Sequence, residues 1–190
     1  MYKVYPKIIL ACLLLVMTGT VYSQRVTQTI NDGWKFSLFE GDASTADFDI
    51  SGWTDVSIPH TWNAKDADDE IPGYFRGKGW YRKVVAVEEL IPEQRVYLSF
   101  EGANQETNVF VNGTFVGNHK GGYSAFTFDV TDYVHAGRNL IAVSVDNSHN
   151  PDIAPLSADF TFFGGIYRDV YLVYTSPVQL STTHYASSGV

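Results

Sequence analysis

TNVFVNGTFV, residues 107–116, reads as two strand-type runs separated by Asn112-Gly113. Val, Phe and Thr suit a pleated, half-buried surface. Asn-Gly is the pair favoured by a two-residue type I′ turn, where both central residues need positive φ. The spacing predicts a hairpin with strands over 107–111 and 114–116. The same patterning continues upstream in GWYRKVVAV (79–87) and RVYLSF (95–100). Downstream, Tyr123–Val130 reads as a strand, and Thr131–Val134 as one helical turn ended by Gly137. RNLIAVSVD (138–146) alternates, with Leu140, Ala142 and Ser144 on one face and Ile141, Val143 and Val145 on the other. A strand that is apolar on both faces belongs in the middle of a sandwich. GIYRDVYLVY (165–174) is the last clear strand, and no long helical pattern follows residue 24. The expected class is all-β, a β-sandwich with a large apolar interior.

Two long loops interrupt the strands, Pro59–Lys78 and Asn147–Phe163. Loops of this length in a compact β domain are usually functional. The chain carries 13 Lys and Arg against 21 Asp and Glu, a net charge of −8. That balance argues against nucleic acid and anionic membranes as partners. With 12 Tyr, 12 Phe and 4 Trp, some rings are available to line a ligand surface. Sugars present apolar C–H faces to aromatic rings, while their hydroxyls need polar partners.

The first 23 residues read as a signal peptide: Lys3 and Lys7, then an apolar run over Ile8–Met17, then Val21-Tyr22-Ser23 before Gln24. The run is too short for a membrane span, which needs roughly 20 apolar residues. Ile9-Leu10-Ala11-Cys12 has the look of a lipoprotein motif, but five apolar residues follow Cys12, which reads better as part of the leader. The expected setting is export, periplasmic or secreted. Cleavage after Ser23 leaves no cysteine, so the core alone must stabilise the domain. Residues 24–176 form the expected domain. Residues 177–190 read as a linker into a second domain.

Six segments, in order, resemble the first domain of family 2 glycoside hydrolases, the group of β-galactosidases, β-glucuronidases and β-mannosidases. They are NDGWKF (31–36), IPHTWN (58–63), GWYRK (79–83), the span from FEG (100–102) to VNG (111–113), GGYSAF (121–126) and GGIYRDV (164–170). The resemblance implies a jelly-roll, galactose-binding-domain-like sandwich that binds carbohydrate, most like that of a β-galactosidase. Immunoglobulin-like and barrel domains would follow it. Read structurally, Trp34, Trp80, Tyr81 and Tyr167 are expected in the core, because large aromatics are mostly buried. His60 and Trp62 are expected to brace the first long loop, and Arg168 and Asp169 to pair or cap locally.

A glycosidase of this kind needs two carboxylates across the scissile bond. In the family both are barrel glutamates, one preceded by asparagine, and no Asn-Glu pair occurs here. The chain by itself is therefore not expected to hydrolyse glycosides. Asp66, Asp68, Asp69 and Glu70 read as a solvated acidic loop, without the spacing of a calcium site. The five histidines lack zinc-ligand spacing. No resident cofactor is expected. In β-galactosidases the first domain reaches the active site with an aspartate shortly before GGIYRDV and with an asparagine. By that placement the resemblance implies Asp159 as the substrate-binding aspartate, with a monovalent cation shared there in a longer enzyme. Asn63 is the candidate asparagine. A carboxylate accepts strong hydrogen bonds from hydroxyls, and an amide can both donate and accept. A freestanding carbohydrate-binding module and a domain without ligand are the other readings.

Overall fold

The structure is a computed structural model that describes residues 25–66, 73–179, 181 and 183. The expected leader (1–23) and the acidic residues Asp68, Asp69 and Glu70 lie outside these residues. Ten strands are present among the described residues: β1 (Arg25–Thr29), β2 (Trp34–Leu38), β3 (Thr54–Val56), β4 (Lys78–Val87), β5 (Arg95–Phe100), β6 (Glu106–Val111), β7 (Thr114–Lys120), β8 (Phe126–Asp129), β9 (Gly137–Asp146) and β10 (Val170–Thr175). They form a four-stranded sheet, β1-β10-β5-β8, and a six-stranded sheet, β3-β2-β4-β9-β6-β7. Every pairing is antiparallel. The all-β sandwich expected from the strand patterns is the fold.

The deciding hairpin forms as read. Asn112 and Gly113 have φ of 52° and 81°, and β6 pairs with β7 across them. The second strand continues to Lys120, past its expected end at Val116. β9 lies between β4 and β6. Ile141, Val143 and Val145 enter the main core with Leu98, Phe100, Phe126 and Leu172 from the other sheet. Ala142 faces outward under Ala43, Trp80, Phe48, Trp53 and Phe110. The 39–53 loop therefore roofs the outer face. Trp80 donates its indole N–H to the Gly41 carbonyl, and Arg82 donates to the Ala43 carbonyl. That roof is why β9 can be apolar on both sides.

Two strands differ from expectation. Residues 165–169 are not strand, because Gly165 has φ of +118° and only a single bridge to Asn104; β10 starts at Val170. Tyr123 precedes β8, which starts at Phe126. β1 to β3 had no clear pattern. β1 is exposed along its whole length, so no apolar alternation marks it.

Strand register decides where the loops meet. Lys78 opens β4 opposite Asp146, which closes β9. Glu106 opens β6 opposite the same Asp146, and Lys120 closes β7 opposite Glu106. Phe100 closes β5 opposite Val170, which opens β10. The segments 57–66, 73–77, 101–105, 121–125 and 147–169 therefore emerge at one end of the sandwich.

Candidate functional site at the loop end

The floor of this end is a network of short polar side chains. Asn63 is 2% exposed. Its amide N–H2 donates to Asp66 (2.7 Å) and to the Phe75 carbonyl (2.8 Å). Its amide oxygen accepts from the Gly164 N–H (2.6 Å) and from Asn147 (3.3 Å). Asn147 also donates to the Phe162 carbonyl and accepts from the Gly77 N–H. Two buried asparagines thus tie both long loops together. A buried amide must be paired, and these are.

The Gly164-Gly165 pair is required by close approach. A Cβ on Gly164 would lie 2.1 Å from Cζ2 of Trp62 and 2.7 Å from Nδ2 of Asn147. A Cβ on Gly165 would lie 2.6 Å from the His60 carbonyl oxygen and from the Tyr81 hydroxyl. Trp62 stacks on Phe36, and His60 Nδ1 meets the Tyr81 hydroxyl at 2.8 Å. His60 and Trp62 brace the loop as expected. Burial lowers the His60 pKa and raises that of Tyr81, so both are held neutral.

The rim is different. Asp159 is exposed and makes no hydrogen bond or ion pair with another described residue. Beside it Phe160, Phe163 and Tyr123 are 52%, 47% and 50% exposed. With Asn104, Thr161 and Tyr167 they line a cavity of about 220 Å³. Asn104 is fixed by donating to the Phe163 carbonyl and by a bridge to Gly165. Tyr167 donates to the Gly122 carbonyl. Burial, then the Tyr167 and Tyr74 phenols nearby, raise the Tyr123 pKa.

The two sequence candidates therefore share one end of the fold but occupy different layers. Asp159 has an exposed carboxylate that no described residue engages, whereas Asn63 has its amide engaged in the floor. Asp66 is not simply solvated, since its carboxylate accepts from Asn63 and from the Phe75 N–H. Trp34, Trp80 and Tyr81 are core, but Tyr167 is a half-buried cavity wall. Arg168 and Asp169 do not pair with each other. Arg168 stacks over Tyr167, and Asp169 accepts from Asn31 and Tyr171. Sequence reading missed Asn147 and the aromatic rim. The adjacent large apolar residues in Phe160-Thr161-Phe162-Phe163, inside a loop, were the available signal. Among the described residues no three His, Cys, Asp or Glu side chains could hold a metal.

Residues 27–177 match the family model for the sugar-binding domain of the glycosyl hydrolases family 2. The chain belongs to this family. It is 46% identical to Bacteroides uniformis β-glucuronidase 2, solved covalently bound to cyclophellitol-6-carboxylate aziridine, with a TM-score of 0.75 over 80% of this chain and 18% of that one. A Bacteroides fragilis β-glucuronidase is 38% identical over 93% of this chain and 25% of its own. A Thermoanaerobacter pseudethanolicus β-galactosidase is 37% identical over 84% of this chain and 21% of its own. The domain thus spans about a quarter or less of these multi-domain enzymes, which are glycosidases. Family membership accounts for the six segments. They lie in the core, the hairpin turn and the loop-end floor, and two of them bring Tyr123 and Tyr167 to the rim cavity.

Proposed function

We propose that this domain works within a longer, exported β-glycosidase of the β-glucuronidase type, and that Asp159 hydrogen-bonds a hydroxyl of the bound sugar. The observation that carries the reading is the exposed carboxylate of Asp159, which no described residue engages, in a loop whose buried amides Asn63 and Asn147 hold internally. An ionised carboxylate is a strong acceptor for sugar hydroxyls. The chemistry of bond cleavage would be supplied by two glutamates in a later barrel domain, after an immunoglobulin-like domain. Asn63 would contribute indirectly, by setting the height of the two loops. The glucuronidase reading is supported by relatives at 46% and 38% identity. A β-galactosidase is the second reading, favoured by the relative at 37%.

The test is kinetic. In the full-length enzyme, Asp159→Asn keeps the shape and removes the charge. It is expected to lower kcat/KM on 4-nitrophenyl β-glucuronide by roughly 30-fold, the equivalent of about 2 kcal/mol for a hydrogen bond to a charged group. Unchanged turnover would remove Asp159 from the site. Faster turnover of the corresponding β-galactoside would decide for the second reading. N-terminal sequencing of protein from the periplasm or medium should begin at Gln24.

A further inference from the structure

The loop-end cavity is a shallow aromatic cup with a cation on its flank. Its volume, about 220 Å³, is below the roughly 300–1,000 Å³ of sites for drug-sized ligands. It has room for about one ring. Three of its six walls are aromatic side chains about half exposed to water. Apolar groups clustered at a rim in this way mark a binding surface. Phe160 carries the cup outward to its flank. Its ring lies 5.3 Å from that of Phe162, and the Arg76 guanidinium carbon lies 5.1 Å from the Phe162 ring centre. The same carbon lies 4.8 Å over the Tyr74 ring, and Arg76 donates to the Tyr74 hydroxyl.

Among the described residues, Arg76 is thus held in place by rings. Among the described cations only Lys35, Arg95 and Lys120 are in ion pairs, with Asp55, Asp129 and Glu106, so it is the ring stacking that sets Arg76 apart. Arg76 forms no ion pair with a described residue, although the chain has a net charge of −8. A guanidinium has five N–H donors in a planar fork; one goes to the Tyr74 hydroxyl, and no other donor of the Arg76 guanidinium meets a described residue. The fork's edge suits a carboxylate or sulfate, two oxyanions of the same binding chemistry.

We propose that this cup is a second subsite. It takes the sugar unit adjoining the one Asp159 holds and prefers a unit bearing an anionic group. The ring's C–H face packs on Phe160 and Tyr123, and its oxyanion turns to Arg76. The subsite rests on the Asp159 reading for its place along the substrate, since Phe160 follows Asp159 directly. Its affinity rests only on the cup.

The experiment is a chemical-shift titration of the 190-residue chain with methyl β-glucuronide and methyl β-glucoside, which differ in a carboxylate against a hydroxymethyl group. The chain is expected to bind the glucuronide about tenfold more tightly, the size of one charge-assisted hydrogen bond. Arg76→Gln should remove the preference and keep weak binding of both rings. Arg76→Lys should restore part of it. Phe160→Ala should weaken both ligands. Asp159→Asn should leave the preference intact, so failure of the cup and failure of the Asp159 reading are read separately. Equal affinities, no binding, or a preference that survives Arg76→Gln would overturn the proposal. Binding by this chain that vanishes in the full-length enzyme would also overturn it, by marking the cup as a seat for later polypeptide. A methyl glucoside 6-sulfate titrated in parallel distinguishes sulfate from carboxylate.

Discussion

The floor and the rim of the loop end are built from the same segments but treat side chains in opposite ways. In the floor, Asn63 and Asn147 bury their amides and satisfy each other, Gly164 and two carbonyls. At the rim, Asp159 and the rings of Phe160, Phe163 and Tyr123 face water. A polar group that folding has already paired has little left to offer a ligand. One left in solvent has its hydrogen bonds to exchange. The contrast assigns stability to the floor and recognition to the rim, and each assignment can be broken.

The largest effect is expected at Gly164. The Cβ of Gly164→Ala would fall 2.1 Å from the packed indole of Trp62. Overpacking of this kind costs about 3 kcal/mol, and urea denaturation midpoints measure it. A neutral result would show that the floor is looser than its contacts indicate. Asn63→Ala comes next. It leaves the Gly164 N–H buried without its acceptor, while Asn147 keeps the Phe75 and Phe162 carbonyls, for about 2 kcal/mol by the same measurement.

A pH effect follows. Burial holds His60 and His119 below the ordinary histidine range; a backbone hydrogen bond at Gly121 partly opposes this for His119. Both bind protons less readily folded than unfolded. Their contribution to stability is complete above about pH 6.5 and is lost as pH falls from there through the depressed folded values. Thermal unfolding between pH 8 and pH 5 should show a falling midpoint on the acid side, and a flat profile would place these imidazoles in water. The smallest effect is at the rim, where Asp159→Asn and Phe160→Ala should each change stability by under about 0.5 kcal/mol. Loss of folding in either would move that residue from rim to floor.

Much of the strand layout was legible because alternation reports burial directly. RNLIAVSVD could be placed between two apolar layers, and Asn112-Gly113 demanded positive φ wherever it occurred. β1 escaped because an exposed edge strand has no apolar face to repeat. In the site, Asp159 was a candidate by family resemblance, from its place shortly before GGIYRDV, and the structure shows it exposed. Asn63 was found by the same kind of reasoning, yet sequence carries no sign of whether an amide will be spent internally.

Local chemistry, then, determined from sequence alone the all-β class, the hairpin, the double-sided central strand and the family's ordered segments, since each depends on neighbours along the chain. Tertiary structure alone decided that Asn147 would meet Asn63 across 84 residues, that Tyr167 would wall a cavity, and that Arg76 would rest on two rings. Those outcomes depend on strand register, which gathers four distant loops at one end and so determines which side chains are buried and which remain open to a ligand.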